Sequence, residues 1–176
     1  MDVEEFIKRI IAGERGFDDA ELSGIVLAAM KLQRMRWRRA RLSELDLRGC
    51  DLAGADLHSA HLTGVDLRGA HLFRVIFRKS RMVRVELSGA NLHAADLAEA
   101  ELAGVQLRAA HLIGADLRKT NLRDANLHGA NLTRADLREA DLRGANLIEA
   151  VLRETDLRGA RIEGARMPEP WCDGVE

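Results

Sequence analysis

The side chains with chemical potential in this sequence are its histidines, its arginine-rich segments and its evenly spaced carboxylates. Six histidines occur, at positions 58, 61, 71, 93, 111 and 128. Together with carboxylates they are the raw material of metal centres and of general acid–base sites. Two segments are basic without a single acid: residues 31–41, KLQRMRWRRAR, with six Lys or Arg, and residues 71–85, HLFRVIFRKSRMVRV, with five. Basic clusters of this kind bind anions or acidic partners. The two cysteines, Cys50 and Cys172, stand 122 residues apart and offer neither a metal spacing nor a disulfide framework. No Ser or Cys stands in a recognisable nucleophile motif, and no glycine-rich phosphate loop occurs.

What these groups can do depends on the elements that carry them, and one period governs those elements. From Phe17, every fifth residue through Leu22, Leu27, Leu32 and Trp37 to Met167 is apolar; 25 of these 31 central residues are Leu. Two residues before each centre lies a second series, Arg15, Ala20, Ile25, Met30, onward to Ala165, of which 27 in 31 are apolar or Cys. Asp or Asn stands between the two series in 14 repeats, as at Asp46, Asn91 and Asp136. Two mostly polar residues or Gly complete each unit.

A helix advances 100° per residue, so a period of five scatters the apolar residues around every side. A long strand fails as well, because an odd period reverses the inward side at each repeat. A very short extended piece followed by a corner satisfies the pattern. Residues two apart then point inward, and the residue between them points out. Four corners close a square of about twenty residues, and successive squares stack at roughly 4.8 Å. Thirty-one units give about 7.75 coils, a rod about 35–40 Å long.

The unit resembles that of the pentapeptide repeat family, A-(D/N)-L-x-x, most closely in ANLTRADLREADLRGANL from Ala130 to Leu147. The resemblance spans residues 15–169. It implies an all-β fold, a right-handed quadrilateral β-helix. A capping α-helix is expected over residues 1–14: Val3, Phe6, Ile7, Ile10 and Ile11 share a helical face, Asp2 and Glu5 suit a capping box, and Gly13 suits a stop. Residues 170–176 form the expected tail, with Trp171 either a lid on the last coil or the seed of an end-to-end dimer; the chain is otherwise one domain, monomeric or joined end to end.

Steps of twenty then sort the surface into columns. Arg38, His58, Arg78, Ala98, Arg118, Arg138 and Arg158 line one wall. Beside them run Arg36, Asp56, Ile76, Asp96, Asp116, Asp136 and Asp156. An ion-pair ladder is the expected use of that wall. His71, His93 and His111 fall on one face in successive coils, but His71 and His111 are then about 9.6 Å apart, too far for one ion. No metal or other cofactor is expected, and a side-chain-filled interior offers no catalytic pocket.

Hydrophobic residues make up 47% of the 176 residues but aromatics only 3%, and 27 Lys plus Arg meet 28 Asp plus Glu for a net charge of −1. This balance argues against a general nucleic-acid binder, and aromatic platforms for single strands are missing. No run reaches 18 apolar residues, and the acidic start MDVEEFIKRI does not suit a signal peptide, so a cytoplasmic chain without a membrane span is expected. The expected function is non-enzymatic: a scaffold or interaction module with a protein partner. The candidate partner patch is Arg34, Arg38, Phe73, Arg74, Ile76, Arg78, Lys79, Arg81, Val83 and Arg84, basic groups interleaved with exposed apolar ones. Some members of the resembled family protect DNA gyrase by imitating duplex DNA with an acidic rod; the arginine columns and the near-neutral charge speak against that alternative here.

Overall fold

The computed structural model describes residues 1–169; the proposed lid or dimer seed Trp171 lies outside them. Parallel pairing joins each outward residue to the one twenty positions later, along four ladders. Wall I runs through Gly16, Arg36, Asp56 and onward to Asp156. Wall II runs from Glu21 to Arg161, wall III from Val26 to Arg166, and wall IV from Lys31 to Val151. The coil of twenty is therefore observed, and its stacking is carried by backbone hydrogen bonds between coils. Leu47 N–H donates to the carbonyl of Asp66 at 2.8 Å, and Asp66 N–H donates to that of Leu45 at 2.9 Å.

The corners explain the last two residues of each unit. Ala130 N–H donates to the Leu127 carbonyl at 2.9 Å, closing a turn whose third residue, Gly129, has φ +66°. That geometry is a type II turn, which favours Gly at this position. Lys119, Arg134 and Glu139 hold the same left-handed conformation without being Gly, so the stacked coils impose a backbone that costs these residues about 1 kcal/mol or more each. In wall II the first four coils instead form three-residue strands, β1 (Glu21–Ser23), β2 (Arg41–Ser43), β3 (His61–Thr63) and β4 (Arg81–Val83). The inward residues that follow them are Ile25, Leu45, Val65 and Val85, all larger than Ala.

Both apolar series point inward. Leu117, Leu122 and Leu127 are fully buried, as are Ala110, Ala125 and Ala130 beside them. Each buried Leu contributes about 1.5–3 kcal/mol of transfer free energy. The two threonines that intrude on the small-residue series bond backward to the preceding coil. Thr120 Oγ1 donates to the Leu97 carbonyl at 3.0 Å and Thr155 Oγ1 to that of Leu132 at 2.8 Å. Cys50 Sγ does the same to Leu27 at 2.8 Å; burial pushes its thiol pKa up, as expected of an inert core cysteine.

Helix α1 (Val3–Ile11) closes the first coil. Asp2 is its N-cap and accepts from Glu5 N–H at 3.1 Å, and Gly13 follows its end at φ +88°. Phe6 is fully buried against Phe17 (ring centroids 4.8 Å apart) and Trp37 (6.3 Å). The helical face is narrower than expected: Phe6 and Ile10 are buried and Ile7 half-buried, while Val3 and Ile11 face solvent. The square end of the rod is small enough for two residues of the helix to cover it. No helix among the described residues is long and apolar enough to cross a membrane.

Candidate functional site

The outward Asp and Asn have a local task. In repeat after repeat their Oδ1 accepts the N–H two residues on, as Asp46 does from Arg48 at 3.1 Å and Asn91 from His93 at 3.2 Å. That N–H points out of the rod, so the short side chain satisfies a group that the inter-coil ladder leaves over. Where Arg follows in the sequence Asp-Leu-Arg, the same carboxylate also takes the guanidinium. Arg68 Nη2 lies 2.6 Å from Asp66 and Arg138 Nη2 2.6 Å from Asp136. Arg138 also lies 3.6 Å from Asp156 in the next coil, so wall I carries the expected ladder. The arginine hydrogen bonds pull the carboxyls of Asp46, Asp141 and Asp156 down to about 2.

The candidate patch does not form one surface. Arg34, Phe73 and Arg74 lie on wall IV, Arg38, Ile76, Arg78 and Lys79 on wall I, and Arg81, Val83 and Arg84 on wall II. Nor is it as basic as its sequence. Arg38 is 2.6 Å from Asp56, Arg78 2.6 Å from Glu99, Lys79 3.5 Å from Glu99, and Arg84 3.2 Å from Glu44. Every acid comes from another coil, which is why segments without acids are neutralised in the rod. Ile76 is half-buried rather than exposed, covered within the wall I ladder. Among the described residues, Arg34, Arg74 and Arg81 have no carboxylate within 4.0 Å.

Wall IV stands apart from the rest. Its outward and corner positions from Lys31 to Glu154 hold five cations (Lys31, Arg34, Arg74, Arg134, Arg153) against two carboxylates (Asp51, Glu154), a formal +3. The same positions on walls I and II balance to zero, and those on wall III sum to −1. Midway along the rod, Gly69 and Gly89 at the corner of wall III and His71, Asn91, His93, His111 and Ile113 on wall IV line an open groove. The three histidines do meet on one face as the twenty-residue step implies. Among the described residues no group of three or more His, Cys, Asp or Glu is placed to hold a metal ion.

Above the groove, Phe73 is 38% exposed. Its ring stacks on His93 with centroids 5.6 Å apart and planes 9° apart, and the Arg74 guanidinium lies 5.0 Å from its centroid. The rings are thereby held in place at little further entropic cost. Ile113, half-buried beyond His93, is the groove residue that sequence reasoning passed over; two steps of twenty from Phe73 reach it.

The pentapeptide repeats family model matches in 8 copies, over residues 20–58, 50–89, 86–124, 100–138 and 135–168. No curated protein matches the sequence. Among solved structures, QnrB1, a plasmid-mediated fluoroquinolone resistance protein, is 18% identical, with 89% of this chain and 91% of that chain covered and a TM-score of 0.50. That likeness is one of fold. HetL, a pentapeptide repeat protein involved in heterocyst differentiation regulation in the cyanobacterium Nostoc, is 29% identical over 97% of this chain and 99% of its own, with a TM-score of 0.41. A pentapeptide repeat protein of the Arabidopsis thaliana thylakoid lumen is 25% identical over 69% of this chain and 71% of its own, with a TM-score of 0.48. With its repeats matched from residue 20 to residue 168, the chain belongs to the pentapeptide repeat family.

Proposed function

We propose that this chain is a non-enzymatic interaction rod that engages a protein partner through wall IV. The observation that carries the reading is the contrast between walls: three sum to zero or −1, whereas wall IV joins a formal +3 to a clamped aromatic ring and a groove. Charge-paired walls keep a rod solvated but present little for a partner to bind. An exposed ring beside unpaired arginines has the composition of an interface anchor. The rod beneath is proposed to be right-handed, the hand favoured by crossovers between parallel strands, with about 7.75 coils.

The patch inferred from sequence is thereby narrowed to its wall IV members, Arg34, Phe73 and Arg74. The same contrast favours this reading over duplex imitation, since among the described residues every wall with an acidic column also carries arginines that pair with it. Affinity capture from the native extract tests the reading. The wild type should retain a protein that the double variant Arg34→Glu, Arg74→Glu loses. Equal capture by both, or capture of nucleic acid alone, would refute it.

A further inference from the structure

Resting on the assignment of wall IV as the protein-docking face, we propose that its ligand is an acidic, extended polypeptide segment lying along the rod axis. Its carboxylates meet Lys31, Arg34 and Arg74, and an apolar side chain beyond them enters the groove at Ile113. Three features of the surface lead there.

The first is where the unpaired charge lies. The two cations at the far end of the wall are engaged: Arg134 is 2.6 Å and Arg153 3.5 Å from Glu154. Lys31, Arg34 and Arg74 have no carboxylate within 4.0 Å among the described residues. The near half thus carries three cations without an ion-pair partner against one carboxylate, Asp51, which Gln33 engages at 2.6 Å, whereas the two far cations share Glu154, so an anionic partner gains most by covering the near half.

The second is the posture of Arg74. Its guanidinium lies over the Phe73 ring at 5.0 Å. A stacked guanidinium keeps its N–H edges free, and those edges match a carboxylate in bidentate fashion. Phe73 is itself backed by His93, so the arginine rests on a fixed platform rather than on a mobile side chain.

The third is length. From Lys31 to Ile113 the wall climbs four coils, about 19 Å at the inter-strand spacing. An extended chain covers that distance in about six residues. A segment with acids at one end and an apolar side chain at the other matches the wall in both charge and span. Duplex DNA fits less well: it presents a charge every 1.7 Å or so, against three unpaired cations over the whole interval, and the Phe73 ring is already stacked on His93.

Fluorescence anisotropy with defined probes tests the proposal. The probes are a labelled twelve-residue peptide with a Glu-rich first half and a Leu-containing second half, the same peptide with Lys for Glu, and a twelve-base-pair duplex. The acidic peptide should bind saturably, weaken as salt rises, and bind at least about tenfold tighter than its Lys counterpart. Arg74→Gln should weaken it about tenfold or more, while Arg118→Gln on wall I should change it less than about twofold. Thermal melting of both variants establishes that each is folded. Equal losses in the two variants would reduce the effect to general charge and overturn the proposal. Tighter binding of the duplex would overturn it in favour of nucleic acid. Absence of saturable peptide binding would overturn it too; if extract capture then still required Arg34 and Arg74, the docking wall would stand and only its acidic ligand would fall.

Discussion

His93 stacks beneath Phe73 across one coil boundary, ring planes 9° apart, although the two residues are twenty positions apart in sequence. The contact shows how the rod turns a sequence period into a surface: whatever recurs at steps of twenty becomes a column of touching side chains. Phe73→Ala should leave Arg74 without its platform. The expected result is a modest stability loss of about 0.5–1.5 kcal/mol in denaturant melts, together with weaker partner binding. Unchanged binding would remove Phe73 from the docking wall.

The filled interior makes opposite substitutions equally harmful. Leu117 is fully buried and Ala115 is 1% exposed. Leu117→Ala should cost about 2–5 kcal/mol by opening a cavity, and Ala115→Leu about 1–3 kcal/mol by overfilling the square. Urea denaturation measures both. Two neutral variants would contradict the inward assignment of the apolar series.

Ser80 makes a different prediction. It is fully buried, and its hydroxyl lacks the backward bond that Thr120 and Thr155 make to the preceding coil. A buried unpaired hydroxyl costs about 1–3 kcal/mol, so Ser80→Ala should be neutral or stabilising. Thr120→Ala should destabilise. The reverse order in thermal melts would show that Ser80 is bonded in solution.

The Asp-Leu-Arg pairs predict an acid-sensitive rod. Asp46, Asp141 and Asp156 are held at about 2 by their arginines, below the unfolded value of about 3.9. Ionised carboxyls of this kind favour the folded state, so their contribution is complete above about pH 4 and is lost as pH falls toward 2. Melting temperatures should decline across that window. In Asp141→Asn the guanidinium pairing is lost but an acceptor remains for Arg143 N–H, bonded at 3.3 Å in the wild type. That variant should flatten the acid decline yet stay more stable at neutral pH than Asp141→Ala.

Much of this was legible in the sequence because period and geometry coincide. The series from Phe17 to Met167 and from Ala20 to Ala165 requires a corner every five residues and a closure every twenty, and the ladders follow that count. A count of charge along the chain does not show how the basic segments are paired. Arg78 meets Glu99 and Arg84 meets Glu44, 21 and 40 residues away, and those acids lie outside the segments that looked unpaired. The helix at the start was legible through Asp2 and Phe6. The exposure of Val3 and Ile11 was not, since it depends on how little area the first coil offers to cover. The outward Asp and Asn were visible as a column, but their bond to a leftover N–H depends on corner geometry that spacing alone does not specify.

The docking role of wall IV is tested most directly by a photo-activated cross-linking residue placed, one at a time, at four equivalent outward positions: His93 on wall IV, Arg118 on wall I, Ala103 on wall II and Arg108 on wall III. Irradiation in native extract should join a polypeptide to the position 93 variant and leave the other three without a matching product. Equal labelling from all four walls, or labelling confined to walls I to III, would contradict the assignment.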